Sequence, residues 1–430
     1  MVSDVRSRRV VLATFGSLGD LHPYLALARE LRRRGHTPVV ATSGLYRERV
    51  EAAGVGFAPL RPNLPDLGPE AEWMPRLLNP RRGPEMLVRG IMMPHLRATY
   101  EDLERATAVG ADLLVGHPLL FALPPLAERA GLPWVGVALA PTSMFSAHDP
   151  PLLAAAPWAL AVRSLGVTPY RLLSRVGPRM VRPWTEPVRA LRRDLRLPPP
   201  AHEPLFRGQF SPRLNLALFS PLFGPPQPDW PPNTRATGFP FLDVSTPPEP
   251  VLEAFLAAGP PPIVFTLGSS AVMAAGPFYA ESARAAAALG RRAVLLIGRD
   301  PRNRPNGPLP PGMVAVEYAR YADLLPRAEA VVHQGGIGTM AETLRAGKPM
   351  LVVPFAFDQP DNARRARRLG VARVIPHARY TARRAADALG PLLADAACAR
   401  RAAELGRAIR NEKGASAACD RLEEAMAARG

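Results

Sequence analysis

The sequence predicts two α/β domains, each built on a doubly wound parallel sheet, and three observations support this. Short β-branched runs alternate with helical patterns from residue 9 onward, as in a sheet with crossover helices. Prolines then interrupt the alternation at 224–250, which predicts an interdomain linker. The alternation restarts near Ile263. At 430 residues and 47% apolar side chains, the chain is long enough for two cores.

The elements of the first domain are assigned from periodicity. The first helix is expected from Pro23 to Arg34, closed by Gly35. Between 141 and 210 the pattern loosens into proline-broken helical pieces, which could shape a ligand pocket or simply cover the surface. The predicted strands are Arg9–Thr14, Pro38–Thr42, Asp112–Val115, Trp134–Leu139 and Asn215–Phe219.

The second domain repeats this architecture. Its predicted strands are Ile263–Leu267, Ala293–Ile297, Met313–Glu317, Ala330–His333, Met350–Pro354 and Ala372–Ile375. The stretch Asp395–Arg429 reads as helical. The predicted boundaries are 1–223 for the first domain, 224–250 for the linker, 251–405 for the second domain and 406–430 for a helical segment that could pack back on the first domain.

Composition excludes several classes of protein. The formal net charge of +17 comes almost wholly from arginine, because Lys348 and Lys413 are the only lysines. Base-composition bias and solvated helix faces are the simplest explanation; attraction of an anionic nucleotide or an acidic membrane surface is the functional one. A nucleic-acid partner is not expected, since no basic run is interleaved with aromatics.

The sequence also predicts a cytoplasmic protein. Cys398 and Cys419 are too few for a disulfide framework. The apolar run Val10–Ala13 is too short for a signal peptide. The longest apolar stretch, Leu152–Val162, is interrupted by Pro157 and is too short to span a membrane, so neither export nor a transmembrane segment is expected.

A glycine-containing loop, Gly16-Ser17-Leu18-Gly19-Asp20-Leu21-His22-Pro23, follows the first predicted strand. It is not the dinucleotide fingerprint, because the third glycine is missing and no acidic residue ends the second strand. Asp20 and His22 lie where open sheets bind ligands, and either could act as a general base toward a hydroxyl. The alternative is that Asp20 caps the helix, with Pro23 in its first turn.

A second loop, His333-Gln334-Gly335-Gly336-Ile337-Gly338-Thr339, connects a strand to a helix that ends near Gly347. Its glycines allow backbone amides to approach an anion, and the helix N-terminus adds partial positive charge. This chemistry suits a diphosphate. A tight turn that needs glycine only for packing is the alternative.

A third segment, Val353–Ala363, follows the next predicted strand. Asp358 and Gln359 together offer the acceptors and donors needed to hold sugar hydroxyls. Asp361 or Asn362 could instead cap the helix that follows.

These segments, together with Thr237-Gly238-Phe239-Pro240, resemble the family 1 glycosyltransferases of the UDP-glycosyltransferase superfamily, of the bacterial natural-product and sterol-glucosyltransferase kind. The resemblance covers nearly the whole chain. It implies the GT-B fold, in which two Rossmann-like domains face each other across a cleft, with the acceptor in the N-terminal domain and the nucleotide-sugar donor in the C-terminal one.

The resemblance also assigns roles residue by residue. Asp20 falls on the aspartate base of bacterial members, and His22 is kept as a second catalytic candidate. Pro125 stands where plant members have an aspartate that orients their base, so no dyad is expected and His117 is at most a neighbour of the acceptor. The donor contacts are Gly19, Ser269, His333, Gln334, Gly335, Gly336, Gly338, Thr339, Glu342, Asp358 and Gln359.

Within that donor set, Asp358 and Gln359 would hold the sugar and Glu342 the ribose. Either His333 or Gln334 could contact the phosphates. Where the family signature begins with a tryptophan that stacks on the base, this chain reads Val316–Tyr321, which leaves uridine and thymidine as alternatives.

The implied function is inverting transfer of a hexose or deoxyhexose from a UDP- or dTDP-sugar to a small apolar acceptor, such as a flavonoid or other polyphenol, a macrolide or a sterol. No metal or cofactor is expected, because no Asp-x-Asp pair is present. A monomer or weak dimer is expected. The candidate acceptor contacts are Phe121, Met144, Phe145, His148 and Trp158, although residues of these types more often serve core or surface packing than ligand contact.

Three alternatives remain at this stage. A membrane-surface glycolipid transferase would use the basic charge and the segment Leu152–Val176. A non-catalytic sugar-nucleotide-binding protein would lack a base, which Asp20 argues against. Sugar-nucleotide epimerases share the two-domain fold, but the long donor motif resembles transferases.

Overall fold

The first sheet of the protein, seen in a computed structural model that describes residues 7–243 and 249–427, contains seven parallel strands. They are β1 (Arg9–Ala13), β2 (Thr37–Thr42), β3 (Gly56–Pro59), β4 (Leu113–Gly116), β5 (Trp134–Ala138), β6 (Asn215–Ala217) and β7 (Thr234–Ala236). Their order is β3-β2-β1-β4-β5-β6-β7. Val10, Val11 and Leu12 are fully buried because helices cover both faces.

The second sheet has six parallel strands. They are β8 (Ile263–Thr266), β9 (Ala293–Leu296), β10 (Met313–Val316), β11 (Ala330–His333), β12 (Met350–Val352) and β13 (Ala372–Val374). The order is β10-β9-β8-β11-β12-β13. The predicted fold class, two doubly wound parallel-sheet domains, is therefore confirmed.

Helices connect and cover these strands. Those of the first domain are α1 (Leu18–Arg33), α2 (Arg47–Ala52), α3 (Glu70–Leu77), α4 (Gly83–Glu85), α5 (Leu96–Ala108), α6 (Leu123–Ala130), α7 (Ala159–Arg163), α8 (Val167–Ser174), α9 (Val176–Val181) and α10 (Glu186–Asp194). Those that follow are α11 (Pro250–Ala257), α12 (Phe278–Ala288), α13 (Tyr321–Leu324), α14 (Ile337–Ala346), α15 (Gln359–Arg368), α16 (Ala382–Leu393), α17 (Ala396–Asn411) and α18 (Gly414–Ala427).

Each sheet has one point at which the strand order reverses. In the first sheet it lies between β1 and β4, and in the second between β8 and β11. The crossover chains leave in opposite directions there, so a crevice opens beyond the carboxyl ends of the two strands. The two reversal points meet across the cleft: a Cβ added to Gly338, on α14, would lie 3.4 Å from Gly19 Cα on α1.

The structure corrects several sequence expectations. Helix α1 begins at Leu18 rather than Pro23, so Pro23 lies inside the helix. Strand β3 was missed. Strand β7 falls within 224–250, where we predicted a linker without strands, and it pairs with β6 in the first sheet.

The helical stretch predicted for Asp395–Arg429 is two helices, α17 and α18, separated at Glu412 and Lys413. The first residue of α18 lies close against the backbone of another segment. A Cβ added to Gly414 would lie 2.4 Å from the carbonyl oxygen of Phe239.

Helix α18 packs on α1 of the first domain. Cys419 and Leu422 are fully buried in the same apolar cluster as Leu27. At the edge of this contact, Arg34 pairs with Asp420 at 2.6 Å and with Glu423 at 2.8 Å. The last helix of the chain thus completes the core of the first domain.

Candidate functional site

The loop after β1 holds Asp20 in a fixed position at the start of α1. Asp20 is the third residue of a capping box whose N-cap is Ser17. Its Oδ2 accepts the Ser17 N–H at 2.8 Å and the Ser17 hydroxyl at 3.2 Å. Only glycine fits at position 16, where φ is +132° and a Cβ would lie 2.3 Å from that same oxygen.

His117, which follows β4, lies beside Asp20. Its Nδ1 accepts the N–H of Leu119 at 3.2 Å, so in the neutral ring Nε2 carries the hydrogen. That Nε2 lies 3.4 Å from Oδ1 of Asp20. The His117 side chain is 7% exposed and that of Asp20 is 31% exposed. The pair therefore presents a reachable carboxylate supported by a buried imidazole.

This pairing was not predicted from the sequence, where no dyad was expected. Pro125, which occupies the position of the plant aspartate, is buried in α6. The signal that could have found His117 is its place after β4, because β1 and β4 adjoin at the reversal point of the sheet.

His22 does not converge with Asp20. Both lie in α1 two residues apart, so the helix directs their side chains to opposite sides. Burial, together with the charge of Arg49, lowers the pKa of His22 to about 4. Its Nε2 is buried without a hydrogen-bond partner.

In the second domain, the alternatives His333 and Gln334 occupy different environments. His333 is fully buried; its Nδ1 accepts the N–H of Gly335 at 3.1 Å, and its Nε2 lies 3.4 Å from Sδ of Met350. Burial lowers its pKa to about 3. Both ring nitrogens therefore contact the protein itself, and the imidazole stabilises the turn.

Gln334 instead faces the loop that follows β8. Its Nε2 lies 3.4 Å from Oγ1 of Thr339, and its Oε1 is buried without a partner. Gly268 has φ of +64°, and a Cβ there would lie 2.3 Å from Gln334 Nε2. The adjacent Ser269 is exposed in the same turn. Two loops at the reversal point thus form a narrow polar cradle.

The N-terminus of α14 opens into this cradle. Gly336 is its N-cap, and no side chain caps it. Gly335 has φ of +89°, a backbone conformation that glycine adopts readily. Free N–H groups at a helix N-terminus bind anions such as phosphate. Gly338 and Thr339 lie in its first turn.

Asp358 and Asn362 connect the segment that follows β12 with the glycine-rich loop that follows β11. Asn362 Nδ2 donates to Oδ2 of Asp358 at 2.6 Å and to the carbonyl of Gly335 at 2.9 Å. Burial raises the pKa of Asp358 to about 7, and the charge of Asp20 acts in the same direction. Asp20 and Asp358 are thus close enough to interact across the cleft.

Gln359 shapes the turn before α15. Its Oε1 accepts the N–H groups of Phe355 at 2.8 Å and of Ala356 at 3.2 Å. Phe357, in the same turn, has φ of +56°, a strained conformation for a residue with a side chain. Such strain is commonly found at ligand sites.

Glu342 lies on α14, about one turn beyond Gly338 and Thr339. Burial raises its pKa to about 7, although Arg345, 3.8 Å away, opposes the shift. Arg345 also pairs with Asp243 at 2.9 Å.

The structure places the expected acceptor contacts in different surroundings. Met144 is buried in a cluster with Phe219, the ring of Phe145 lies 4.6 Å from that of Phe206, and Trp158 is 60% exposed. His148 lies 3.3 Å from Arg171. These positions are spread over the proline-broken region because periodicity does not fix the direction of its short helices.

Phe121 lines a cavity in the first domain. The cavity measures about 720 Å³ and is lined by His117, Leu120, Phe121, Arg192, Gln209 and Phe210, among others. This volume lies within the ~300–1,000 Å³ typical of small-molecule sites. His117 stands between the cavity and Asp20.

Two findings concern metals and membranes. Among the described residues, no group of three or more His, Cys, Asp or Glu side chains could hold a metal ion. None of the helices in the described ranges has the length and apolar character needed to cross a bilayer.

Buried charged side chains connect the two domains beside the segment that follows β12. Asp361, on α15, has no exposed surface; it accepts the N–H of Leu152 at 2.9 Å and the Thr142 hydroxyl at 3.2 Å, both from the first domain. Arg365 pairs with Asp361 at 2.7 Å and with Asp149. This network holds α15 against the first domain.

Comparison with known proteins places this architecture in a family. Residues 285–423 match the model of the Erythromycin biosynthesis protein CIII-like, C-terminal domain. Residues 10–129 match that of the Glycosyltransferase family 28 N-terminal domain.

Individual relatives of the chain are also named as glycosyltransferases. The chain is 36% identical to the O-mycaminosyltylonolide 6-deoxyallosyltransferase of Streptomyces fradiae, over 97% of each chain. It is 28% identical to a sterol 3-beta-glucosyltransferase of Arabidopsis thaliana, over 82% of this chain and 57% of that one. Among solved structures, the glycosyltransferase of kitacinnamycin matches 98% of this chain and all of its own, with a TM-score of 0.68 and 26% identity.

The similarities indicate one family. The loops at the two reversal points and the glycine-rich N-terminus of α14 are consistent with it. The chain therefore belongs to the family 1 glycosyltransferases of the UDP-glycosyltransferase superfamily, has their GT-B fold, and is a glycosyltransferase.

Proposed function

We propose that this enzyme transfers a hexose or deoxyhexose, with inversion, from a UDP- or dTDP-sugar to a hydroxyl of a macrolide-type or sterol-like acceptor, with Asp20 as the base. The observation that carries the proposal is the alignment of Asp20 with the N-terminus of α14 across the cleft, marked by the approach of Gly19 to Gly338. A base on one domain thereby faces an anion site on the other.

The proton would be taken by Oδ1 of Asp20. Oδ2 already accepts two hydrogen bonds from Ser17, whereas among the described residues Oδ1 is approached only by His117 Nε2. His117 is not the base in this arrangement, because its Nδ1 is engaged by Leu119 and its Nε2 carries hydrogen. A positioned base contributes roughly 10²–10⁴-fold to the rate.

In the proposed reaction, the bond that forms at the anomeric carbon is matched by the bond that breaks there. The acceptor oxygen forms a bond to the anomeric carbon as its proton moves to Asp20, and the bond from that carbon to the β-phosphate oxygen breaks. The leaving diphosphate gains negative charge, which the amides at Gly336–Thr339 and the Gln334 side chain would stabilise. Preorganised donors of this kind replace a metal ion in the proposal.

The donor sugar would lie between Asp358 and Gln359 on one side and Asp20 on the other. Glu342 would face the ribose, and Ser269 the phosphates. We assign Gln334 rather than His333 to the phosphates, since His333 is fully buried and bonded to the turn.

The names of the relatives support the proposed acceptor class. One is named for transfer of 6-deoxyallose to O-mycaminosyltylonolide, another for a sterol. We assign the acceptor to the cavity lined by His117, the residue whose Nε2 contacts Asp20. We further propose a cytoplasmic enzyme without a cofactor, in which Cys398 and Cys419 remain buried thiols.

The test incubates the purified chain and EDTA with UDP- and dTDP-sugars plus macrolide, sterol and flavonoid acceptors, read by mass spectrometry. We expect a product heavier by one sugar. Asp20→Asn should lower kcat by about 10²–10⁴-fold while calorimetry shows unchanged donor binding. Near-normal turnover of this variant would exclude Asp20 as the base, and loss of activity with EDTA would exclude the metal-free mechanism.

A further inference from the structure

The surface of helices α8 and α9 is unusually apolar for an exposed region. Ten large apolar side chains are exposed in the described chain, and five of them lie between residues 158 and 180: Leu172, Val176 and Met180 on α8 and α9, and Trp158 and Leu165 in the segment just before them. Single exposed apolar residues are normal, but a cluster marks a contact surface.

These side chains follow one face. Arg175, between the two helices, has α-helical φ and ψ, so the helical path continues from α8 into α9. Leu172, Val176 and Met180 are four residues apart and therefore lie in one row along it. Their exposures are 56%, 45% and 72%.

A row of arginines runs beside the apolar row. Arg171, Arg175 and Arg179 have the same four-residue spacing, one position earlier, and Arg182 extends the row. All four are exposed. Arginine stems can cover apolar surface while their guanidinium groups reach a polar layer.

No acidic residue balances this charge. Between Asp149 and Glu186 the only charged residues are Arg163 and the four arginines of the row. Their bonds go to the carbonyls of Ala147 and Arg175 or to His148, and in the described chain no carboxylate oxygen lies within 4.0 Å of them. The surface is therefore both apolar and uncompensated in charge.

We propose that this face, residues 158–182, binds the surface of an anionic phospholipid membrane. A helix lies in a bilayer interface when an apolar row is flanked by cations, because the apolar side chains enter the acyl boundary and the cations meet the headgroups. Charge complementarity favours an anionic lipid surface over a protein partner. The proposal is independent of the acceptor and of the roles given to Asp20 and the donor residues.

The experiment is flotation of the full chain with vesicles of phosphatidylcholine alone or mixed with phosphatidylglycerol. We expect binding only to the mixed vesicles, weakening as salt is raised. Each arginine near an anionic surface changes the partition coefficient about fivefold. Arg175→Gln, Arg179→Gln and Arg182→Gln together should therefore lower it about a hundredfold, and Leu172→Ser with Met180→Ser should abolish flotation.

A matched control removes the same charge elsewhere. Arg383→Gln, Arg400→Gln and Arg407→Gln lie on exposed positions of α16 and α17 and should leave flotation unchanged. Glycosyl transfer to a dissolved acceptor should be unchanged in every variant, which shows that each is folded. Three results would overturn the proposal: no binding to mixed vesicles, equal losses in both triple variants, or a dimer of the chain in solution that Leu172→Ser dissociates while vesicles do not bind.

Discussion

Replacing Asp361 by asparagine tests the buried network between the domains. Its Oδ1 accepts from Leu152 N–H at 2.9 Å and from Arg364, and its Oδ2 accepts from the Thr142 hydroxyl at 3.2 Å and Arg365 at 2.7 Å. Asparagine keeps one oxygen and turns an NH₂ toward donors. Removing one partner of a buried ion pair costs about 3–5 kcal/mol, and we expect the free energy of unfolding to fall by this amount.

Urea unfolding followed by intrinsic fluorescence measures the loss, summed over the one or two transitions that a two-domain chain shows. Asp387→Asn is the control: its carboxylate is 70% exposed and 3.9 Å from Arg383, so at most about 1 kcal/mol should be lost. A loss for Asp361→Asn no larger than this would refute the reasoning. Because α15 also carries the donor segment, the KM for the donor should rise in Asp361→Asn alone.

Three further predictions concern the site. Gly268→Ala places a methyl group 2.3 Å from Gln334 Nε2 at a φ of +64°, so steady-state kinetics should show a donor KM raised about tenfold or more. Burial raises the pKa of Asp358 from 3.8 to about 7; the folded chain therefore keeps a proton that the unfolded chain loses, and stability should fall as pH rises from about 4 to 7. Asp358→Asn should flatten that slope in urea titrations and stabilise the chain above pH 7 by roughly 1–4 kcal/mol. His117→Phe removes the donor to Asp20 and should lower kcat about ten- to hundredfold with donor affinity unchanged by calorimetry.

Each of these has its own control or contrary result. Gly307 has φ of +78° but no atom within 4 Å of an added Cβ, so Gly307→Ala imposes similar strain without touching the site and should leave the KM unchanged. A stability slope that survives in Asp358→Asn would contradict the raised pKa. A donor affinity that falls as far as kcat in His117→Phe would contradict a positioning role.

The fold could be predicted largely because its strands are buried on both faces. Such strands appear as continuous apolar runs, as at Val10–Leu12 and Val331–Val332, and their starts were placed within a residue or two. Strands β3 and β7 were missed for the converse reason. They are short edge strands, one containing glycine and proline and the other of only three residues with an exposed arginine.

The candidate site was predictable only where it is local in sequence. Asp20 and the glycine turn before α14 each lie within one loop, so spacing reveals them. His117 comes from a different crossover and meets Asp20 only through the order of the strands. His333 and Gln334 could not be told apart from spacing, because His333 ends β11 and is fully buried whereas Gln334 begins the turn that follows.

The docking of α18 on α1 has a consequence for how the chain folds during synthesis. The first sheet is complete once Ala236 has been made, yet the face of α1 that Cys419 and Leu422 cover stays open until Ala427 emerges. At ~5–20 residues per second, the roughly 190 intervening residues take about 10–40 s. During that interval the apolar face of α1 in the nascent domain stays exposed to solvent, to the ribosome surface and to chaperones. A fragment that stops before α18 would keep that face exposed permanently and should aggregate.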